Sequence, residues 1–280
     1  TRDIESVTES IYGTKLTRSA VSRITKSLYD EMKAFREQQL SEYYPILYVD
    51  ATFVKTKRER VSSEAYYIVL GVKPDMTREV IGIYNAPTES ASMWDDVMND
   101  LKARGLQKTN LVVSDNLNGL DSAIEKHYSC RIQKCVLHLK RNILKKVKKS
   151  HRQAMADDLA TVFNLNDHQD TKCNFMKRAR QFYEEWSKYY SHLDTFNSED
   201  ELEYYCCYLN YEAAIRNMIY TTNWIERLNK SFKRTIKVRN SMPSVESVLT
   251  LLSKVAIDMN NSTYRYSVSR FSECKLFQKK

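Results

Sequence analysis

Ile46-Leu47-Tyr48-Val49-Asp50-Ala51-Thr52-Phe53-Val54 is the stretch on which the reading of this chain turns. It follows Pro45 and is rich in β-forming residues. Its first half is apolar at consecutive positions, the pattern of a strand buried on both faces, so a central strand is expected. One carboxylate, Asp50, stands inside it. A carboxylate in a buried strand costs several kcal/mol unless it is paired or holds a cation. Asp50 therefore meets a core Lys or Arg, caps a loop, or serves a site.

Reading outward toward the C-terminus, Glu64 to Val72 and Glu79 to Tyr84 are two more strands. Their connections carry Lys, Arg, Ser and Pro74-Asp75, which suits an antiparallel meander. Ser90 to Arg104 reads as a helix, capped by Ser90, with Trp94, Val97, Met98 and Leu101 on one face and Gly105 as its stop. Asn110 to Asp115 is a fourth strand, Asn118 to Tyr128 a helix, and Ile132 to Leu137 a short fifth strand. This order gives an α/β fold with a mixed sheet, a three-strand meander followed by strand, helix, strand. In such a sheet the first and fourth strands can lie side by side. Asp50 and Asp115 would then converge at one end, where two Mg²⁺ could sit ~3.5–4 Å apart. Asp115-Asn116 is also ordinary turn chemistry and could simply start the helix that follows.

Upstream, residues 1–40 read as helices: one ends at Gly13, and Thr17 caps a second that opens with Arg18 and includes Arg23. Helix, glycine turn, then helix resembles a DNA-reading helix-turn-helix, or a plain helical hairpin. Downstream, residues 139–220 are helical with ill-defined boundaries. Thr222 to Val238 is a strongly amphipathic helix, and Ser244 to Met259 another, with Val245, Val248, Leu249, Leu252, Val255 and Ile257 as its expected buried positions.

The chain has 280 residues, 42% of them hydrophobic, enough for a sizeable core in one large domain or two modest ones. Only 5 Gly and 4 Pro exclude collagen-like, linker-like and low-complexity readings. No uninterrupted apolar run reaches the roughly 18 residues of a membrane span, and Thr1-Arg2-Asp3-Ile4-Glu5 carries no apolar signal-peptide stretch. Without an initiator Met, the sequence reads as a trimmed or partial chain. Its six Cys are scattered and read as reduced thiols of a cytosolic protein.

Lys and Arg number 44 against 35 Asp and Glu, a net charge of +9. The placement says more than the sum. Arg131 to Arg152 holds nine basic residues and no acid, among them Lys140, Arg141 and Lys145. Arg227 to Arg239 holds six, again with no acid, among them Lys230, Lys233 and Arg234. Two acid-free blocks, with 19 Tyr in the chain, suit a nucleic-acid backbone better than an acidic membrane or protein. Glu226 immediately precedes the second block. With Asn223 as N-cap it fits the third helical position of a capping box; beside a basic surface it equally suits a place where DNA phosphate and metal meet.

Tyr48-Val49-Asp50-Ala51-Thr52-Phe53, Val113-Ser114-Asp115-Asn116-Leu117-Asn118-Gly119-Leu120, Cys135-Val136-Leu137-His138-Leu139-Lys140-Arg141-Asn142 and Thr221-Thr222-Asn223-Trp224-Ile225-Glu226-Arg227-Leu228-Asn229 resemble the successive blocks of Mutator-like transposases of the bacterial insertion-sequence branch. The likeness covers roughly residues 1–265, and the intervals of 65 residues from Asp50 to Asp115 and 111 from Asp115 to Glu226 suit that family. It implies an RNase H-like core with a D, D, E metal triad, here Asp50, Asp115 and Glu226. It implies Mg²⁺, with Mn²⁺ able to substitute. It implies double-stranded DNA as partner, both transposon ends and target, a homodimer, and a cytoplasmic place at the bacterial nucleoid.

It also implies a Cys-x-x-His element, here Cys135 and His138. Two ligand-type residues do not make a zinc site, so no zinc is expected: Cys135 is read as packing near the site and His138 as a DNA-positioning residue. By analogy with related helical-insertion transposases, Trp186 would stack on a displaced DNA base; an ordinary buried Trp is the alternative. The expected division is a helical DNA-binding segment (1–43), a first core part (44–138), an α-helical insertion (139–220), the catalytic and following helices (221–265) and a C-terminal tail (266–280). Family members usually begin with a longer N-terminal region than this chain has. Two other readings stay open, a DNA-binding relative without catalysis and a structure-selective nuclease.

Overall fold

A computed structural model describes residues 17–86, 90–236 and 241–278. Its centre is a five-stranded mixed sheet of β1 (Tyr43–Lys57), β2 (Val61–Val72), β3 (Arg78–Ala86), β4 (Lys108–Ser114) and β5 (Arg131–Lys134), in the order β3-β2-β1-β4-β5. β1, β2 and β3 form the antiparallel meander, while β4 pairs parallel with β1 and β5 with β4. The stretch around Asp50 is therefore the central strand. Its side chains alternate between two cores. Ile46 and Tyr48 face the larger one, Leu47 and Val49 the smaller.

The smaller core is closed by α2 (Ala91–Ala103) and α3 (Leu120–His127). Ser90 caps α2 by accepting from Met93 N–H (3.2 Å), and Trp94, Val97, Met98 and Leu101 are buried, the face expected from spacing. Gly105 follows at φ 117, where a Cβ would meet Leu40 O at 2.8 Å. The larger core gathers α4 (Val136–Lys145), α5 (Arg152–Val162), α6 (Lys172–Trp186), α7 (Glu199–Cys206), α8 (Ala213–Ile219), α9 (Asn223–Ile236) and α10 (Val245–Asn261). Of the expected buried face of α10, Val248 and Leu252 are buried, with Ser253 and Ala256; Val245, Leu249, Val255 and Ile257 are partly covered.

Two expectations change. The fifth strand ends at Lys134, not Leu137. Cys135 N–H still donates to Ser114 O (2.8 Å), but Val136 N–H turns away to Tyr220 O (3.1 Å) and α4 begins. Val136, Leu139 and Ile143 are buried along it, a helical rather than a strand period. The helix opened by Thr17 is longer than the short second helix of the helix-turn-helix reading: α1 (Arg18–Arg36) has 19 residues, capped by Thr17 and docked on α10, where Arg36 pairs with Glu246 at 2.7 Å. The helix expected before Gly13 lies outside the described residues.

β5 anchors the helical insertion. Lys134 is 2% exposed and reaches Asp121 of α3 (2.7 Å) and Glu201 of α7 (3.2 Å). Gln133 accepts from Tyr208 N–H (2.6 Å) and donates to Tyr205 O (3.2 Å). These ties hold the insertion over the end of the sheet where β1 and β4 deliver their acids. Among the described residues no helix is long and apolar enough to cross a membrane.

Candidate active site

The parallel pairing of β1 and β4 sets Val49 opposite Ser114, so the next residue on each strand is an acid, Asp50 and Asp115. Asp50 lies on the larger-core face and is 5% exposed. Its Oδ1 accepts from Ala51 N–H (2.8 Å) and its Oδ2 from Asn229 Nδ2 of α9 (2.6 Å). Two amides and the Asp115 carboxyl, among the described residues, thus meet Asp50 where a Lys or Arg was weighed from sequence. Burial, then the neighbouring Asp115 charge, push its carboxyl up to about 8.

Asp115 does not start a helix: α3 begins at Leu120 behind Gly119. Its Oδ1 instead abuts His138 Nδ1 and lies 3.2 Å from Thr222 Oγ1. Glu226 does not complete a capping box either. Asn223 is already helical, and Thr222 O accepts from Glu226 N–H (2.9 Å), so Glu226 falls one position too late. Its carboxylate faces His138 Nε2 (3.3 Å) and Arg141 Nη1 (3.4 Å).

His138 thus bridges two of the three acids through its two ring nitrogens. The hydrogen bond to Asp115, then that to Cys135, raise it to about 10, so the ring is an imidazolium at neutral pH. It sits in the first turn of α4, with Cys135 just before the helix and three residues back, on the same side. Cys135 is 1% exposed. Its Sγ is 3.5 Å from Thr222 Oγ1, and one ligand atom each of Asp115, Cys135 and His138 lie within 4.8 Å of one another. Three carboxylates, an imidazolium and a thiol from β1, β4, α4 and α9 therefore meet at one end of the sheet.

Residues 1–266 match the family described as transposase, Mutator family. This chain belongs to that family. The transposase of insertion sequence element IS1201 from Lactobacillus helveticus is 32% identical over 253 residues, covering 90% of this chain and 67% of that protein. The transposase of IS905 from Lactococcus lactis is 28% identical over 276 residues, 98% of this chain and 69% of that protein. The transposase of IS256 in transposon Tn4001 from Staphylococcus aureus is 30% identical over 266 residues, 93% and 67%. The chain spans about two thirds of the length of these curated relatives.

In this Mutator-family chain the expected DNA contacts divide by exposure. Arg23, Arg141, Lys145, Arg227, Lys230, Lys233 and Arg234 are exposed. Lys230 and Lys233 follow Glu226 by one and two turns on the same side of α9, so a cationic row runs outward from that acid. The side chain of Arg18 lies outside the described residues, as do Lys237 and Arg239. Lys140 is only partly exposed: its Nζ lies over the rings of Phe163 (5.2 Å) and Tyr220 (5.8 Å), and burial lowers it to about 8. Trp186 fits the alternative weighed for it, an ordinary buried Trp. It is 6% exposed, its Nε1 donates to Asp158 Oδ2 (2.8 Å), and Tyr190 and His151 pack on it, so it offers no open face to a base. The apolar spacing of Phe182 and Trp186 within α6 signals that burial.

Thr222 and Asn229 were missed from sequence alone. Their signal is spacing: Thr222, Glu226 and Asn229 are four and three residues apart, one stripe at the start of α9. Polar residues on the stripe that faces a buried acid have a partner to find.

Proposed function

We propose that this chain is the catalytic part of a DDE-type DNA transposase with an RNase H-like core, Asp50, Asp115 and Glu226 being its metal-binding acids. The observation that carries this reading is the convergence of Asp50 and Asp115 from adjacent parallel strands beneath the helix that bears Glu226. The donor set fits Mg²⁺: three carboxylates offer the hard oxygen ligands that magnesium takes, and Mn²⁺ accepts the same set. Asp50 pressed against Asp115 in a buried place also calls for a cation. When bound, the metal ions would activate the attacking oxygen and stabilise the leaving one.

The chain's own residues do the rest. Asn229 and Ala51 N–H orient Asp50, and Thr222 orients Asp115. His138 must give up its hold on Asp115 and Glu226 before both acids turn to cations. Arg141 and the row Lys230 and Lys233 grip phosphates beside the scissile bond. Water cleaves the element end, and the freed 3′-OH attacks a target phosphodiester in the same place. Neither step needs a covalent protein intermediate. Holding two ends of double-stranded DNA together calls for a homodimer, acting at the bacterial nucleoid. The division into segments 1–43, 44–138, 139–220, 221–265 and 266–280 belongs to the same reading.

The test is Mg²⁺-dependent cleavage and joining of an oligonucleotide carrying the element end. Asp50→Ala, Asp115→Ala and Glu226→Gln are each expected to abolish both steps while DNA binding persists. Cleavage by Asp50→Ala at the parental rate would falsify the assignment.

A further inference from the structure

We infer that Asp115, Cys135 and His138 form a second cation site, one for a borderline-soft divalent ion of the zinc class, which shares Asp115 with the magnesium site. One carboxylate oxygen, one thiol and one imidazole nitrogen gather within 4.8 Å of one another. Such a mixed N, S, O set suits zinc far better than magnesium. Donors around a tetrahedral zinc sit roughly 3.3–3.8 Å apart, given bonds of ~2.0–2.3 Å, so the wider pairs close by at most about 1.5 Å while Asp115 and His138, already in hydrogen-bond contact, move slightly apart.

Two further features fit a site rather than a chance cluster. Thr222 Oγ1 lies within reach of both Asp115 Oδ1 (3.2 Å) and Cys135 Sγ (3.5 Å), an outer hydroxyl positioned to orient two donors. The three donors also line a cavity of about 420 Å³, shared with His192 and Asn142, which leaves room for water as the fourth ligand. The site was hidden in the sequence because its third donor is the acid that the spacing assigned to magnesium. Binding displaces the thiol proton of Cys135 and a ring proton of His138. It also withdraws Asp115 from the magnesium site, so an occupied site is a brake on DNA cleavage; that consequence rests on the proposed reaction, whereas the binding does not.

The test uses the full chain and Co²⁺ as the spectroscopic probe. Stoichiometric Co²⁺ is expected to give the thiolate-to-cobalt charge-transfer band of a cysteine ligand, and Zn²⁺ to abolish it by displacement. Asp50→Asn and Glu226→Gln should keep the band, Cys135→Ala should lose it, and Thr222→Val should weaken cobalt binding ~10–100-fold. A missing band at saturating cobalt, or a band that survives Cys135→Ala, overturns the site. Should Cys135→Ala fail to fold, Cys135→Ser decides: it keeps the size of the buried side chain but is expected to lose the band, and a band that survives in it overturns the proposal. A band without any Mg²⁺-dependent cleavage sinks the transposase chemistry alone. Cleavage that continues at full rate with zinc bound sinks the brake.

Discussion

The Nδ2 of Asn229 lies 2.6 Å from Oδ2 of Asp50. This bond ties the last of the site's helices to the central strand, three residues after Glu226 on the same helix. Asn229 is 5% exposed, and its Oδ1 is buried with no partner among the described residues. The amide is therefore held for its donor. Asn229→Ala removes a side-chain donor to Asp50 and is expected to cost about 1–3 kcal/mol in urea unfolding. It should also raise the Mg²⁺ concentration needed for half-maximal cleavage, without abolishing cleavage. Parental stability together with a parental Mg²⁺ requirement would contradict this role.

Stability without metal should fall as pH rises. Asp50 keeps its proton to about 8 in the folded chain but loses it near ~3.9 when unfolded. His138 keeps its proton to about 10, against ~6.5 unfolded. In both cases the native state binds more protons, so each contribution is complete below the unfolded pKa and is lost as pH climbs through the folded one. Thermal melts in chelator should show Tm declining between about pH 5 and 9. Asp50→Asn should flatten the lower part of that decline and be more stable than the parent at pH 8, though inactive. A Tm that rises across this window would refute the linkage.

Cations and protons compete for these groups, so Mg²⁺ affinity is expected to increase with pH. Calorimetry at pH 6 and pH 8 should find tighter binding at the higher pH, with proton release seen as a buffer-dependent heat. Equal affinities at both values would argue that neither Asp50 nor His138 changes protonation on loading.

Exposure separates the lysines. Lys230→Ala and Lys233→Ala should each weaken DNA binding similarly on any sequence and reduce the salt slope by about 1. Lys140→Met should leave that slope unchanged, because its ammonium lies over Phe163 and Tyr220. A slope lost equally from Lys140 and Lys230 would show that the inward position is wrong.

Lys134 should matter for architecture. Lys134→Ala leaves Asp121 and Glu201 without their shared cation where β5, α3 and α7 meet. Both acids are partly solvated, so a loss of about 1–3 kcal/mol is expected, with faster proteolysis between α6 and α7. Unchanged proteolysis would mean that Gln133 and the apolar contacts hold the insertion by themselves.

Local physics made much of this chain legible along its length. Runs of apolar, β-forming residues marked β1 to β4, helical spacing marked α2, α9 and α10, and Thr17, Ser90 and Ser244 stand at helix starts because their hydroxyls cap nearby backbone N–H groups. The apolar setting of Asp50 likewise flagged its acid, since burial cost is a property of the surrounding sequence. What sequence could not decide depends on which distant surfaces meet. Asp50 and Asp115 are neighbours because β1 and β4 pair in parallel, and His138 spans Asp115 and Glu226 because α4 leaves the sheet at Cys135, beside α9. The same cationic or aromatic letter turned inward at Lys134, Lys140 and Trp186 and outward at Arg141 and Lys230, because the helical insertion covers the first group and not the second. Hydrogen bonding and burial at such positions are set by partners tens to hundreds of residues away, and only the folded chain brings those partners within reach.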